Sequence, residues 1–339
     1  MATASDPLSR LLAEKGVLLA DGATGTNLFA MGLEAGEAPE LWNESHPERI
    51  VKLHQDFVDA GADIILTNSF GGTRHRLKLH KADDRVFDLN RKAAEIARSV
   101  ADKAPRKVIV AGSVGPTGEL LQPLGALTYE DAVAAFVEQM EGLKAGGVDI
   151  AWIETMSSPE EIRAAAEAAV KVGLPYTYTG SFDTAGKTMM GLAPKDIHGV
   201  AKDIGAGPVA VGANCGVGAS DILASLLDMT SADPAATVIV KGNCGIPEYR
   251  GAEIHYSGTP PLMAEYAKLA RDAGAKIIGG CCGTSCGHLA AMRQALDNYT
   301  PGPRPTVEAI VEHIGPLRNK TAEESSGDAG RERRGRRRG

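Results

Sequence analysis

The stretch DIAWIETMSSPEEIRAAAEAAVKVGLPYTYTGS, residues 149–181, decides the fold. Its two ends, DIAWIE (149–154) and YTYTGS (176–181), are short runs rich in β-branched and aromatic side chains, which is typical of strands. The alanine-rich segment between them, PEEIRAAAEAAVKVG, closes at a glycine, which is typical of a helix C-terminus. A strand, a helix and a second strand in this order predict a βαβ unit with parallel strands.

The same alternation recurs along the whole chain. Helical patterns occupy residues 48–61, 129–147 and 260–274, among others. We predict eight strands, at residues 16–20, 63–67, 108–112, 149–154, 176–181, 209–214, 237–241 and 275–280. Eight strands alternating with eight helices predict an α/β fold, a single (β/α)₈ TIM barrel over residues 1–317 with its active site at the C-terminal strand ends.

Composition and charge narrow the functional classes. The 339 residues are 43% apolar and 23% charged, with a net charge of −7, so a role of the barrel in binding nucleic acid is not expected. The N-terminus has no secretory pattern, and no apolar run approaches the ~18 residues of a membrane span, so we expect a cytoplasmic protein with no membrane partner. Residues 318–339 are polar and end in RERRGRRRG, which predicts a disordered charged tail that either solubilises the chain or docks onto an acidic partner or RNA.

Polar side chains follow several predicted strands, at the end where a barrel carries its active site. Asp21 follows the first strand, Asn68 the second and Asn243 the seventh, and Glu154 ends the fourth. Asp21 and the glycines after it either shape a turn or expose backbone N–H groups to a substrate carboxylate. Glu154, on a strand that lines the barrel, is expected to bind a substrate cation or to pair with a neighbouring base.

The five cysteines indicate a metal site. In a reducing compartment they are expected to be free thiols, ligands or reactive groups rather than disulfides. Cys215 follows the sixth strand, and Cys281 and Cys282 follow the eighth, so three thiolates can meet at the barrel mouth and suit zinc. Three protein ligands leave a fourth position open for a substrate thiol, which indicates catalysis.

Two other interpretations of the cysteines stay open from the sequence alone. Cys244 or Cys286 can close a structural four-ligand site, although neither has independent support as a ligand. Any single cysteine is also more often a small buried apolar residue than a metal ligand.

Asp21, Glu154 and the segments GANC, GNCGIP and AGAKIIGGCCGTS together resemble the homocysteine S-methyltransferase family. This family includes betaine-homocysteine methyltransferases, S-methylmethionine-dependent enzymes and the homocysteine module of cobalamin-dependent methionine synthase. The resemblance covers roughly residues 10–300, and Cys215, Cys281 and Cys282 match the family's zinc ligands in order and context.

The resemblance implies a role for each candidate residue. Zinc would bind homocysteine as its thiolate, Asp21 and Glu154 would hold its amino group, and the backbone at Gly22, Ala23 and Thr24 would receive its carboxylate. Asn243 matches an asparagine near the metal in the methionine synthase branch, where Cys244 is a departure from the pattern. The product would be methionine.

The identity of the methyl donor stays open. Betaine is the first prediction, with Trp42 as a candidate aromatic side chain for its quaternary ammonium group, which aromatic faces attract. An S-methylmethionine-dependent enzyme is an alternative. The loops TNSFGGTR and GNCGIP look more like the methionine synthase module, but the chain lacks a DxHxxG cobalamin motif, so that interpretation requires a separate corrinoid protein partner.

Two functions of other classes are weaker. A non-catalytic zinc-binding scaffold would not need Asp21 and Glu154 beside the metal. A thiol-redox protein would be expected to carry a Cys-x-x-Cys motif at a helix start, which CGTSC does not provide.

Overall fold

Eight parallel strands form the central sheet of the protein in a computed structural model, which describes residues 6–245, 247–250, 253–297 and 299–319. All eight predicted strands are present, together with a hairpin formed by two further strands. The strands are β1 (Leu18–Leu19), β2 (Ile64–Leu66), β3 (Ile109–Val114), β4 (Ile150–Met156), β5 (Tyr176–Gly180), β6 (Ala210–Cys215), β7 (Val238–Gly242), β8 (Pro247–Arg250), β9 (Glu253–Tyr256) and β10 (Ile277–Gly280).

The sheet curves into a nearly closed barrel. Its strand order is β1, β10, β7, β6, β5, β4, β3, β2, and each neighbouring pair is parallel. Across the remaining gap, Ala20 forms a parallel bridge with Ile64, and the backbone N–H of Asp21 donates to the Ile64 carbonyl at 3.0 Å. The (β/α)₈ TIM barrel predicted from the sequence is therefore confirmed.

Helices surround the barrel between successive strands. They are α1 (Pro7–Lys15), α2 (Gly25–Ala30), α3 (Trp42–Ser45), α4 (Pro47–Asp59), α5 (Arg74–Lys78), α6 (Val86–Ala101), α7 (Tyr129–Ala145), α8 (Pro159–Val172), α9 (Ala219–Ala232), α10 (Pro260–Asp272), α11 (Cys286–Asp297) and α12 (Val307–Ile314). Between β5 and β6 the chain forms a 3₁₀ helix, Pro194–Gly199, where the regular alternation predicts an α-helix. Another 3₁₀ turn, Pro39–Leu41, precedes α3.

Local sequence signals explain how α8 starts and stops. The hydroxyl of Ser158 accepts the backbone N–H of Glu161 at 3.2 Å, and Pro159 occupies the first helical turn, where its missing N–H costs nothing. The helix ends at Gly173, whose φ of 77° is left-handed and favours glycine. The predicted βαβ unit is therefore present, although β4 continues to Met156, two residues beyond its predicted end.

Side chains facing into the barrel change character along the strands. Trp152 of β4 and Ile239 of β7 belong to the buried apolar cluster that fills the barrel interior, which Leu8 and Leu11 of α1 join. Two residues further along these strands, at the same parity, Glu154 and Lys241 line a cavity. The interior is thus apolar toward the strand N-termini and polar at the C-terminal mouth.

The chain after α12 is held against the start of α9 by hydrogen bonds. The hydroxyl of Ser220 donates to the Gly315 carbonyl at 2.7 Å, and the carboxylate of Asp221 accepts the backbone N–H groups of Arg318 and Asn319 at 2.8–3.1 Å. The predicted disordered tail begins at these two residues, but residues 320–339 lie outside the described part of the chain, and their disorder stays a prediction. Within the described residues, we find no helix with both the length and the apolar character needed to cross a membrane.

Candidate active site

A cavity of about 500 Å³ opens at the C-terminal ends of the strands. Its wall includes backbone and side chains from the segments after β1, β2 and β10, and the ends of β4, β6 and β7. This is the end of the barrel where the loops of TIM barrels build their active sites.

Three sulfur atoms meet in the cavity wall. Cys215 ends β6, while Cys281 and Cys282 follow β10, and the three Sγ atoms all lie within 4.8 Å of one another. Cys215 has a left-handed φ of 61°, a conformation that is costly for a residue with a side chain and persists where the surrounding structure enforces it. The two segments that the sequence predicts to meet are therefore brought together.

The other two cysteines lie apart from this cluster. Cys244 is fully buried in the core, where burial raises the pKa of its thiol to about 12, and Cys286 is exposed at the start of α11. None of the five cysteines, all within the described residues, forms a disulfide, in line with the sequence-based expectation.

Asn243 joins the two segments that carry the sulfurs. Its Nδ2 donates to the carbonyl of Gly216 at 2.8 Å, and its Oδ1 accepts the backbone N–H of Cys282 at 3.1 Å. The side chain is buried, both of its polar ends are occupied by the backbone, and it is not part of the described cavity wall, so Asn243 links the ends of β6 and β10.

Glu154 presents a carboxyl group to the cavity from the end of β4. Its Oε1 accepts a hydrogen bond from the hydroxyl of Ser113 at 2.5 Å. Burial raises the pKa of Glu154 to about 7, although the positive charge of Lys241 and the Ser113 hydroxyl both oppose this shift. At neutral pH this carboxyl group is close to its titration midpoint. A cation placed beside it would favour its ionised form.

Asp21 is engaged inside the barrel. One carboxylate oxygen accepts from Lys241 Nζ at 2.7 Å and the other from the backbone N–H of Leu66 at 2.7 Å. Asp21 is only 1% exposed and is not part of the cavity wall, whereas Lys241 is. The structure therefore gives Asp21 an ion-pair partner that the sequence analysis did not anticipate.

The turn after Asp21 and the polar residue after β2 do line the cavity. Gly22, Ala23 and Thr24 form part of its wall, and so does Asn68. The amide nitrogen of Asn68 donates to the Pro39 carbonyl at 2.7 Å and is thereby fixed by the segment before α3.

Gly22 permits a close approach between two loops of the wall. A Cβ atom at this position would lie 2.5 Å from the carbonyl oxygen of Thr284 and 2.8 Å from the ring of Phe57. Only glycine lets the turn after β1 lie against the loop after β10 without displacement.

Trp42 lies away from the cavity. It is buried at the start of α3, its ring centroid is 4.7 Å from that of His46, and the guanidinium carbon of Arg49 lies 4.7 Å above it. The described structure does not bring Trp42 into the wall that holds the sulfurs and Glu154.

Comparison with known proteins agrees with this geometry. The sequence model of the family described as Homocysteine S-methyltransferase matches residues 18–296, most of the chain and all of the barrel strands. The chain belongs to the homocysteine S-methyltransferase family. It is therefore a methyltransferase, and the resemblance found in the sequence is confirmed.

This member of the homocysteine S-methyltransferase family is also similar to solved and curated proteins. The metallated form of the homocysteine methyltransferase MmuM from Escherichia coli is 26% identical with a TM-score of 0.72, and the match covers 85% of this chain and 99% of that one. The methionine synthases of Mycobacterium tuberculosis and Mycobacterium leprae are 30% and 28% identical over 83% and 87% of this chain. The chain spans about a quarter of the length of these curated relatives.

The donor set of this family member fits a metal ion. The pKa of Cys282 is lowered to about 3 because the thiols of Cys215 and Cys281, and then the hydroxyl of Tyr256, hydrogen bond to its sulfur. The pKa of Cys215 is raised because its proton is held between the other two sulfurs and because the site is buried. Three soft ligands with one acidic thiol suit a thiophilic cation, whose binding would release the remaining thiol protons.

Several residues of the site were missed by sequence reasoning. Lys241 ends a predicted strand at the parity of the inward-facing Ile239, which is the signal that identifies it. Asn214 precedes Cys215 and fixes the left-handed Thr155, accepting its backbone N–H at 2.8 Å and donating to its hydroxyl at 2.7 Å. Tyr256 ends the β8–β9 hairpin and lies in the cavity wall with Cys282, a position that the strand and helix periodicity of the sequence does not indicate.

Proposed function

We propose that this chain is a zinc-dependent homocysteine S-methyltransferase that forms methionine. The observation that carries the proposal is the cluster of three cysteine sulfurs within 4.8 Å of one another, in the wall of a cavity that Glu154 shares. A cluster of this kind in a scaffold protein would not require a buried carboxyl group in the same cavity.

Cys215, Cys281 and Cys282 would hold the zinc and leave one position for the substrate. Zinc bound to three thiolates lowers the pKa of a further thiol so that it is present as a nucleophilic thiolate at neutral pH. The homocysteine sulfur would form a bond to the methyl carbon of the donor while the bond between that carbon and the donor nitrogen breaks. The electron pair of the broken bond stays with the leaving nitrogen. With betaine, the products are methionine and dimethylglycine.

The remaining residues of the cavity orient homocysteine. The Glu154 oxygen that does not bind Ser113 has no hydrogen-bond donor among the described residues and is placed to accept from the substrate ammonium group. The backbone of Gly22, Ala23 and Thr24 is proposed to receive the carboxylate, with Asn68 completing this side of the wall. Fixing both polar ends of the substrate places its sulfur in one direction, which lowers the entropy cost of the reaction.

Betaine remains the first donor that we propose, although not through Trp42. The outer wall of the cavity contains the aromatic rings of Phe29 and Phe70, which suit a quaternary ammonium group, and the guanidinium of Arg76, which suits a carboxylate. S-Methylmethionine carries a sulfonium and a carboxylate, and the same groups support it as the alternative donor.

A second candidate function is the homocysteine-activating subunit of a split cobalamin-dependent methionine synthase. The 30% identity to the methionine synthase of Mycobacterium tuberculosis, over only 25% of that protein, favours it. A separate corrinoid protein would then have to deliver the methyl group at the barrel mouth.

One assay separates these functions. The purified zinc-loaded chain is incubated with homocysteine and with betaine, S-methylmethionine or methylcobalamin in turn, and methionine formation is measured. Turnover with betaine or S-methylmethionine supports a self-sufficient enzyme and identifies its donor. Turnover with methylcobalamin alone, or after adding a corrinoid protein, supports the split synthase, and no methionine under any condition contradicts both.

A further inference from the structure

The side chain of Lys241 extends from β7 over the adjacent strand β10 toward β1. It belongs to β7 and is paired in register with Gly279 of β10. A Cβ atom at Gly279 would lie 3.0 Å from both Cγ of Lys241 and Cβ of Ala20, so the lysine side chain passes over this glycine toward β1. Its ammonium group therefore lies on the side of the barrel where the chain leaves β1.

The ammonium group of Lys241 is buried with donors to spare. The residue is 3% exposed, and among the described residues Asp21 is the only hydrogen-bond acceptor of its Nζ. An ammonium group has three N–H donors, so two are left without a protein acceptor. Because Lys241 forms part of the cavity wall, a bound molecule can reach these donors.

Asp21 fixes the position of this ammonium group from a buried site outside the cavity wall. Its two oxygens are occupied by Lys241 and by the backbone N–H of Leu66. Asp21 directly precedes Gly22, Ala23 and Thr24, so the cation lies beside the turn that we propose as the carboxylate site. Glu154 lies within electrostatic range of Lys241, so the cavity presents a cation and an anion side by side.

We propose that Lys241 binds the α-carboxylate of homocysteine, while Glu154 alone accepts its ammonium group and Asp21 holds Lys241 in place without contacting the substrate. This inference rests on the proposed function and assigns the recognition of the two ends of the substrate. It differs from the arrangement expected from the resemblance, in which Asp21 also holds the amino group.

Charge balance supports this assignment. Asp21 and Lys241 neutralise each other, which leaves Glu154 as the nearby carboxyl group without an ion-pair partner among the described residues. A zwitterion adds one cation and one anion, and it meets Glu154 with the first and the unused Lys241 donors with the second. Charged hydrogen bonds of this kind are among the stronger ones available in a buried site.

The competing role for Lys241 is structural, as a partner that only neutralises the buried Asp21. The two roles predict different effects of losing Lys241 on the binding of a thiol that has no carboxylate. If Lys241 binds the carboxylate, its loss weakens the binding of homocysteine but not that of 3-mercaptopropylamine, which is homocysteine without the carboxylate. If Lys241 is only structural, both thiols are weakened together.

The test measures the binding of three thiols to the zinc-loaded full chain by isothermal titration calorimetry. The thiols are homocysteine, 3-mercaptopropylamine and 4-mercaptobutanoate, which lacks the amino group. In Lys241→Met the preference for homocysteine over 3-mercaptopropylamine should fall about 10- to 100-fold, while the affinity for 3-mercaptopropylamine stays nearly unchanged. Glu154→Gln is the matched control and should weaken 3-mercaptopropylamine while sparing 4-mercaptobutanoate.

Lys241→Met leaves a buried carboxylate unpaired and can prevent folding, so the double variant Asp21→Asn with Lys241→Met is measured as well. It removes both charges and should show the same loss of preference for homocysteine. An unchanged preference in the folded double variant would overturn the proposal, as would equal binding of all three thiols by the unmodified protein. If the unmodified protein binds no thiol, the proposed function itself fails, which calorimetry distinguishes from a loss of carboxylate recognition.

Discussion

Cys281 is one of the three cysteines that we propose as metal ligands. It follows β10, its backbone N–H donates to the Gly242 carbonyl of β7 at 2.7 Å, and its sulfur lies within 4.8 Å of that of Cys215 at the end of β6. We predict that Cys281→Ser loses most of the bound zinc and the methyltransferase activity while the barrel stays folded, because a neutral hydroxyl is a poor zinc ligand. Metal analysis and circular dichroism check both parts.

The matched control for this variant is Cys286→Ser. Cys286 is exposed at the start of α11, only a few residues along the chain and outside the sulfur cluster. The Cys286→Ser variant should retain the zinc content and activity of the unmodified protein. Zinc at the unmodified level in Cys281→Ser would contradict the ligand assignment.

Glu154 should make homocysteine binding depend on pH. Its pKa of about 7, raised by burial, means that the carboxyl group is increasingly neutral below that pH and binds the substrate ammonium less well. The KM for homocysteine should therefore rise as the pH falls from about 8 to about 6. In Glu154→Gln the KM should be higher throughout and lose this component of its pH dependence.

The same shift has a consequence for stability, and its sign follows from linkage. A carboxyl group whose pKa is higher in the folded than in the unfolded chain destabilises the fold at high pH, and this cost disappears as the pH falls through about 7 toward 4.5. Glu154→Gln should therefore be more stable than the unmodified protein at pH 8, by up to about 3 kcal/mol, and no more stable at pH 4. Denaturant titrations at the two pH values test this, with the exposed Glu119→Gln as control.

At the scale of elements, the turn between β1 and α2 depends on Gly22. A methyl group there meets the Thr284 carbonyl oxygen at 2.5 Å and the Phe57 ring at 2.8 Å, so Gly22→Ala must push this turn away from the loop after β10. We expect a loss of about 1–3 kcal/mol in the free energy of unfolding and a marked loss of activity. Gly25→Ala is the control, because no atom lies within 4 Å of the added carbon.

The outcome of this pair is measured by denaturant titration and by steady-state kinetics. Gly25 lines the same cavity, so a general intolerance of added volume near the substrate would affect both variants. Equal stability of the two variants would show that the contact between the two loops is not the constraint.

Elements could be predicted from sequence to the extent that a single periodicity determines them. The strand DIAWIE places Glu154 at the parity of Trp152, inside the barrel, and a strand-end pattern was enough to bring Cys215 near Cys281. Lys241 followed the same parity but was missed, because a lysine at a strand end usually faces solvent and its buried partner Asp21 lies 220 residues away in sequence.

Loop conformation could not be predicted in this way. Trp42 lies in a short helix, where its ring packs against Arg49 outside the cavity wall, and Asn243 links two backbone segments in the described structure. Both positions depend on contacts of residues that lie outside the strands, where the alternating pattern of a strand predicts nothing. The hairpin that carries Tyr256 was likewise not predicted, because the regular alternation of strand and helix gives no place for it.

At the scale of the whole molecule, the metal should act as a cross-link within the barrel. The sulfurs come from the ends of β6 and β10, which flank β7 in the sheet, and the side chain of Asn243 already joins the same two segments. A site assembled by strands and hydrogen bonds does not need the ion to fold, in contrast to small zinc domains that unfold without it. Removing zinc with a chelator should therefore leave the circular dichroism spectrum unchanged.

Chelation should nevertheless lower the thermal stability. An ion that binds only the folded state stabilises it by about 4 kcal/mol at a thousandfold excess over its Kd, which corresponds to about 5–10 °C in Tm for a domain of this size. Thermal scans with and without chelator should show this difference in the unmodified protein and in Cys286→Ser, and not in Cys215→Ser. A chelator that unfolds the barrel would mean that the ion organises the strand ends, and a Tm shift of equal size in Cys215→Ser would mean that the stabilising ion binds elsewhere.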